Sequence, residues 1–365
     1  MRIEELGFGE WEDALPRDGF DVFHTREALQ VMNEHTSSDL HLLGGFKGQQ
    51  RIGLAPIFVR EHGVGRLVTS PPPGLGVGRL GTIVTPTSPK QRKIEEVTRE
   101  FTERLIEATD ASEKSTLFRM SCGTWCTDPR PFGWAGFNVI PSFTYRLNLE
   151  STTSDEVMSS FSRDRRKEAR NRNESGIVIR INEKSGAERV YDSMIDRYEE
   201  QGLDVPLSKE FVLELVAGLG ERARVYTAES EDGEFLSGMI ILYSNDTAYN
   251  WKGGTKSSKT RSGVSPNSLL HWQIIEDILT DPDLESILEY DLYTANDERL
   301  VRYKSSFGGN LVPYYTIESN GLPLKFAKGV YRMAALKKDP FGNRSLGSVK
   351  KNLPPAPPIP QFIKR

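Results

Sequence analysis

Four cations, Lys252, Lys256, Lys259 and Arg261, are interleaved with Gly253, Gly254 and Gly263, a composition suited to anionic groups. The cations supply charge, and glycine lets backbone N–H groups come close to a ligand. The stretch runs into Ser265-Pro266, a helix start with a hydroxyl cap and proline at the first helical position. Free N–H donors at such a start would receive a phosphate or a carboxylate. A second cationic group is Arg163, Arg166, Lys167 and Arg170, spaced i, i+3, i+4 and i+7 on one helix face. Six of the ten residues from Arg163 to Arg172 are basic in a chain of formal net charge −4, so this repulsion is local and needs solvent or a polyanion to screen it. Plainer roles also fit: a solvated loop before an ordinary helix, and a solvated face offset by Asp164 and Glu168. The helix lacks interleaved aromatic residues, so extended nucleic-acid binding is not expected.

Other chemistries find few residues to carry them. Cys122 and Cys126 are spaced C-x3-C without a second pair, which reads as free thiols and no metal site. No serine sits in a nucleophile elbow and no H-E-x-x-H is present. His271, among Leu269, Leu270, Trp272, Ile274 and Ile275, reads as a packed side chain and not as a base. What remains is a set of backbone donors and cations. Such a set suits transfer of an already activated group, where positioning and electrostatic stabilisation lower the barrier.

Those groups need elements to hold them. At 365 residues the chain exceeds the size at which one core keeps growing, so two domains are expected. No apolar run approaches 18 residues and no secretory core opens the chain, which predicts a cytoplasmic protein with at most peripheral membrane contact. In the first half, Leu40–Phe46 and Ile52–Val59 read as a hairpin, and Pro89–Ala108 as a helix. Ser115–Met120 and Phe143–Leu149 read as strands. The Pro/Gly stretch Ser70–Arg79 lacks phosphate-loop spacing and reads as a connector or a substrate-lining loop.

The second half repeats this plan more fully. The capping box Thr153–Glu156 opens a helix reaching about Arg172, and Ser185–Glu188 opens another. A meander follows (Ala223–Ala228, Phe235–Tyr243, Thr247–Trp251), then the cationic loop, a helix, and a strand ending in Tyr290-Asp291-Leu292-Tyr293. The expected fold is therefore α/β with mixed, largely antiparallel sheets in two units, 1–150 and 151–310. Residues 311–338 would add a late strand and a helix packing back on the first domain, and 339–365 a Pro-rich tail.

Several segments occur in a telling order. They are Phe161-Ser162-Arg163-Asp164-Arg165-Arg166-Lys167-Glu168-Ala169-Arg170 with Gly176-Ile177-Val178-Ile179, and Ser265-Pro266-Asn267-Ser268-Leu269-Leu270-His271-Trp272. Tyr290-Asp291-Leu292 and Tyr303-Lys304-Ser305-Ser306-Phe307-Gly308 follow. Together they resemble the Fem-type aminoacyltransferases and their N-acyltransferase relatives, which have the tandem fold of the GNAT superfamily. Ser70–Gly81 leading into Thr82-Ile83-Val84 is a looser match in the first half.

The resemblance implies two GNAT-like domains moving an activated acyl or aminoacyl group to an amine, on a small molecule or a lipid-linked cell-envelope precursor. It implies no tightly bound cofactor, with acyl-CoA or aminoacyl-tRNA as co-substrate and charged tRNA as a candidate partner. It marks Lys304 as the group stabilising the oxyanion, and Asp291 as orienting that lysine or holding the amine. A strand-end aspartate capping backbone N–H groups reads as well for Asp291. By the same resemblance Arg163, Arg166, Lys167, Arg170, Tyr249, Trp251, Arg261 and Tyr293 would bind substrate, and Gly263 and Ser265 the co-substrate. Arg261-Ser262-Gly263-Val264-Ser265 is not the full R-x-x-G-x-G/A pyrophosphate loop, and no coiled-coil arm interrupts the second unit, so the motif does not name the donor. Two other function classes stay open: a non-catalytic binder of a phosphorylated or lipid-linked ligand, and a nucleic-acid binder through residues 163–172.

Overall fold

Alternating apolar residues in the first half form strands that pair by hairpins until a helix intervenes. The elements are β1 (Arg2–Glu5), α1 (Phe8–Ala14), α2 (Arg26–Glu34), β2 (Asp39–Lys47), β3 (Gln50–His62), β4 (Gly65–Ser70), β5 (Ile83–Val84), α3 (Gln91–Ala108), β6 (Thr116–Ser121), α4 (Arg130–Trp134) and β7 (Asn138–Asn148). Gly48, at φ 64°, supplies the left-handed residue that the β2–β3 hairpin needs. In this computed structural model the described residues are 1–62, 65–182, 184–202, 205, 207–256 and 263–320. Lys259 and Arg261, the expected helix at 324–338 and the Pro-rich tail lie outside them.

The second half repeats the order with more helices. It contains α5 (Ser154–Ser160), α6 (Arg163–Arg170), β8 (Ile177–Asn182), α7 (Lys184–Glu200), α8 (Lys209–Leu219), β9 (Ala223–Ser230), β10 (Phe235–Tyr243), β11 (Thr247–Thr255), α9 (Pro266–Thr280), β12 (Glu289–Asp291), α10 (Glu298–Lys304) and β13 (Asn310–Glu318). In each half an antiparallel meander is followed by a crossover helix that returns the chain as a parallel strand: β4 beside β6 through α3, and β11 beside β12 through α9.

The two units then exchange their last strands. β7, the end of the first half, pairs with β12 of the second, whereas β13 pairs with β6 of the first. β7 and β13 also pair with each other over nine residues, from Asn310↔Arg146 to Glu318↔Asn138. Among the described residues the result is one 13-stranded sheet running β1-β2-β3-β4-β6-β13-β7-β12-β11-β10-β9-β8, with β5 attached to β3. One hydrophobic core crosses the junction, from Trp11, Phe23 and Phe58 through Leu75, Val77 and Leu80 to Phe211, Ile240 and Trp251. Among the described residues two further cores follow the exchanged strands, one around Phe101 and Phe118 with Ile317 of β13, the other around Trp272 and Tyr290 with Leu147 of β7. Among the described residues no helix is long and apolar enough to cross a membrane.

One expected element is corrected. The helix from Thr153 towards Arg172 is two helices, α5 and α6, broken at Phe161-Ser162. Ser162 caps α6 by accepting from the Arg165 N–H, and its own N–H donates to the Ser306 carbonyl at 2.8 Å. Gly308 (φ 75°) lies so close that a Cβ there would fall 2.6 Å from the Ser160 carbonyl oxygen. The break is thus where the chain from Ser305 to Gly308 passes against the helix pair.

Candidate active site

Only Thr247–Tyr249 of β11 pair with Glu289–Asp291 of β12. Beyond that point β11 continues to Thr255, while the other chain turns away at Tyr293, whose φ is 58°. The gap is filled by the Pro/Gly loop of the first unit. Trp251 Nε1 and Lys252 Nζ donate to the Gly76 carbonyl at 3.2 and 3.0 Å, and the Gly78 N–H donates to the Tyr293 hydroxyl at 2.8 Å. Tyr249, Trp251 and Tyr293 are consequently 2%, 3% and 7% exposed. These three residues, expected to bind substrate, seal the junction between the units.

Arg79, from that loop, enters the sealed junction. Its Nη1 lies 2.8 Å from Asp291 Oδ2 and its Nε 3.8 Å from Asp21 Oδ2, and both carboxylates have no solvent exposure. The rings of Tyr293, Tyr314 and Tyr249 surround the guanidinium at 4.7, 5.4 and 5.7 Å. The approach to Asp291 is close but off the N–H axis, so it is an ion pair without an aligned hydrogen bond among the described residues. The other oxygen of Asp291 accepts from the Thr144 hydroxyl at 2.5 Å and the Tyr293 N–H at 2.7 Å. Asp291 therefore anchors Arg79 and holds the Tyr293 turn. It makes no hydrogen bond or ion pair to Lys304 among the described residues, and its bond from the Tyr293 N–H is the contact expected of a strand-end aspartate capping backbone N–H groups.

Burial pushes the Asp21 carboxyl from its ordinary 3.8 up to about 7, with Arg79 offsetting part of the effect and Asp291 adding to it. The folded state thus holds a proton that the unfolded chain releases. The associated stability is fully present below 3.8 and is lost as pH rises through about 7. Melting temperatures from pH 4 to 8 should fall more steeply for the native chain than for Asp21→Asn. Equal slopes in the two proteins would remove Asp21 as the cause.

Lys304, at the end of α10, is also committed. Its ammonium donates to the carbonyls of Leu292, Tyr293 and Thr294 at 2.7, 2.9 and 2.7 Å. Burial pulls its pKa down to about 8, with Asp291 raising it in part. Three donors meet three acceptors, so no N–H is left over for an oxyanion. Lys304, expected to stabilise an oxyanion, here clamps the irregular chain that follows β12. His271 is packed as expected, its Nδ1 sharing a 2.8 Å hydrogen bond with the Tyr290 hydroxyl and its pKa pushed down to about 3 by burial.

An open cleft of about 650 Å³ lies one residue away. It is lined by Ser162, Asp164, Arg165, Arg299, Arg302, Tyr303, Ser305 and Ser306. Arg165 binds the Ser268 hydroxyl in the first turn of α9, pairs with Glu168 at 2.7 Å, and sits 5.4 Å from the Tyr303 ring centre. Arg299 is held by Asp297 at 3.0 Å, while Arg302 has an exposed side chain without an ion pair among the described residues. Of the expected basic face, Arg163, Lys167 and Arg170 are exposed and likewise form no ion pair among the described residues. Arg166 is spent differently: its Nη1 donates to the Ser159 and Phe161 carbonyls at 3.1 and 2.5 Å, closing the end of α5. Sequence reading missed Arg165, Arg299 and Arg302, although the i, i+3 pair Arg299/Arg302 just before Lys304 was a usable signal.

The start of α9 keeps Ser265 before the helix and Pro266 in its first turn, but the expected hydroxyl cap is corrected: the Ser265 side chain makes no cap hydrogen bond. Gly263 is exposed at φ 70°. Ser268, in that same turn, touches the wall of the cleft through Arg165. Among the described residues no group of three or more His, Cys, Asp or Glu could hold a metal ion.

Known proteins place this architecture. Residues 159–305 match the family model described as acetyltransferase (GNAT) domain. The solved structure of FemX is similar at a TM-score of 0.65 and 12% identity, over 92% of this chain and 100% of that one. The structure of L-PGS from Bacillus licheniformis is similar at a TM-score of 0.52 and 13% identity, over 92% of this chain and 99% of that one. No curated protein matches the chain by sequence. With its two meander–helix–strand units, the chain shares the fold of FemX, and its residues 159–305 match the acetyltransferase (GNAT) domain model.

Proposed function

We propose that the protein is an N-acyl or aminoacyl transferase that moves an activated acyl group from an anionic carrier to an amine. The observation that carries this reading is the position of the basic cleft. All but one of its lining residues fall within the matched domain 159–305, and the cleft joins the first turn of α9 to the end of α10. A carrier with phosphates, either coenzyme A or the acceptor end of a charged tRNA, would meet Arg165 and Arg302 in the cleft. Arg163, Lys167 and Arg170 would extend the contact along α6. Gly263 and Ser265 would leave the N–H groups of the first turn of α9 open to phosphate oxygens. The acceptor is an amine on a small molecule or a lipid-linked precursor.

In the proposed reaction a neutral amine attacks the donor carbonyl, forming a C–N bond and a tetrahedral oxyanion. Collapse expels the carrier as a thiol or a ribose hydroxyl, which takes up the proton lost from the amine. Main-chain N–H groups stabilise the oxyanion, because the Lys304 ammonium is fully used on carbonyls. Lys304 and Asp291 act indirectly, the first fixing residues 292–294 and the second holding Arg79 in place.

The test is binding. Titration of the protein with acyl-CoA and, separately, with aminoacyl-tRNA should give saturable binding to one of them. The variant Arg165→Ala/Arg302→Ala should weaken it by at least roughly 100-fold, since charge-assisted contacts contribute about 1.5–3 kcal/mol each. Binding unchanged in the double variant would move the donor away from this cleft. No binding of either donor, with phosphorylated small molecules still bound, would favour a non-catalytic ligand-binding protein.

A further inference from the structure

We propose that the first unit carries a ligand site of its own, a neutral cleft beside α3 that takes a carbohydrate of one or two rings. The cleft measures about 740 Å³, within the size range of small-molecule sites. Residues of α3, α4 and β13 line it, together with the loop from Trp125 to Pro129. It shares no lining residue with the basic cleft, and the inference does not depend on the transferase reading.

The site begins in the sequence of α3. Val97, Phe101 and Leu105, spaced four residues apart, form the buried stripe of this helix. A second stripe with the same spacing, Ile94, Thr98 and Thr102, lines the cleft. Helical threonine is a weak helix former that commonly turns its hydroxyl to a carbonyl one turn back. Thr109, at the end of α3, does so, donating to the Leu105 carbonyl at 2.7 Å. The Thr98 and Thr102 hydroxyls make no hydrogen bond among the described residues, and neither does the hydroxyl of Tyr315, which also lines the cleft. Thr102 is 3% exposed, so the cleft is where its hydroxyl can find a partner. A buried hydroxyl without a partner gives up hydration for nothing in exchange. Three of them around one cleft fit a ligand that brings its own donors and acceptors.

The rest of the lining sets the class of that ligand. Ile94, Trp125 and Phe132 supply apolar and aromatic area for the C–H face of a ring, whose partial positive charge suits the face of an aromatic side chain. Trp125 is fixed by its indole N–H, which donates to the Thr82 carbonyl at 2.8 Å, so it offers ring surface and not a donor. The charged side chains in the lining, Asp128 and Arg130, cancel. Arg130 donates to both Asp128 oxygens, at 2.7 and 2.9 Å, and its guanidinium also pairs with Glu95 at 3.0 Å. No cation is left over for a phosphate or a carboxylate, in contrast to the basic cleft. Hydroxyls both donate and accept, so they match the hydroxyls of a sugar, while a purely apolar ligand would leave all three unpaired. A sugar unites both requirements, a ring with C–H faces and a rim of hydroxyls.

The experiment titrates the full chain with methyl glucoside, methyl galactoside and cellobiose, following binding by ligand-observed NMR and by tryptophan emission. Glucuronate, glucosamine and cyclohexanol serve as anionic, cationic and apolar controls. At least one neutral sugar should bind saturably and more tightly than every control. Thr102→Val keeps the side-chain shape and removes the hydroxyl, so it should weaken that binding by roughly three- to tenfold. Its melting temperature should be unchanged or higher, because no hydrogen bond of the fold is lost. The emission change on adding sugar should disappear in Trp125→Phe. Absence of neutral-sugar binding, binding confined to the controls, or full affinity in Thr102→Val would each overturn the proposal. So would a lowered melting temperature in Thr102→Val, which would assign the hydroxyl to the fold, or an emission change that persists in Trp125→Phe, which would place the sugar elsewhere.

Discussion

Replacing Arg79 with methionine is expected to lower the unfolding free energy by about 3–5 kcal/mol, among the largest single-residue effects in the protein. The guanidinium faces two carboxylates without solvent exposure, and removing it leaves both without their main counter-charge. Asp21 can respond by remaining protonated, since its pKa is already pushed up to about 7. Asp291 has a poorer escape. Its remaining cation, Arg146, stands 3.8 Å away and is engaged by Glu289 at 2.7 Å. The cost should therefore fall mainly on Asp291, and Arg79→Met/Asp291→Asn should recover part of it, whereas adding Asp21→Asn should recover less. Urea unfolding of the three variants separates these outcomes. A loss below about 0.5 kcal/mol for Arg79→Met would place the charge cluster outside the stability of the junction.

Lys304→Met should reduce turnover by roughly 100-fold, the penalty expected when a reacting group is displaced by about 1 Å. The substitution leaves the carbonyls of Leu292, Tyr293 and Thr294 without their shared donor, so the chain beyond β12 loses its geometry. Stability should fall with it, by about 1–3 kcal/mol. Lys304→Gln distinguishes a clamp from a charge. An amide retains donors for the carbonyls, so a clamp should recover a measurable part of both turnover and stability. Recovery of stability with turnover still at the methionine level would return the ammonium to a direct electrostatic role.

Much of the local structure was legible because it rests on local chemistry. The β2–β3 hairpin follows from its glycine turn, and the start of α5 from reciprocal bonds between Thr153 and Glu156. The length of α3 follows from the spacing of Val97, Phe101 and Leu105. The repeated order of elements, with the resemblance, carried the tandem fold. The exchange of β7 and β13 was not legible, because strand partners across the whole chain leave no mark on either strand's own pattern. The Ser70–Arg79 loop shows the same limit. Its prolines and glycines announce an irregular loop, but only the fold brings Arg79 to Asp21 and Asp291. Lys304 was singled out as an oxyanion-stabilising group, and its three carbonyl partners were not foreseen, because they belong to a turn whose path depends on Tyr293 adopting φ 58°. The basic helix was seen, but its break at Phe161-Ser162 was not. That break turned Arg166 into a cap and brought Arg165 to the cleft.

The central claim is transfer of an acyl group from an anionic carrier to an amine. The most direct measurement incubates the purified full chain with a mixture of candidate amines and either acyl-CoA or aminoacyl-tRNA, following new amides by mass spectrometry. The account predicts an amide product with one donor class, and at least a tenfold slower rate for Arg165→Ala/Arg302→Ala. No amide with either donor class, or an undiminished rate in that variant, would contradict it.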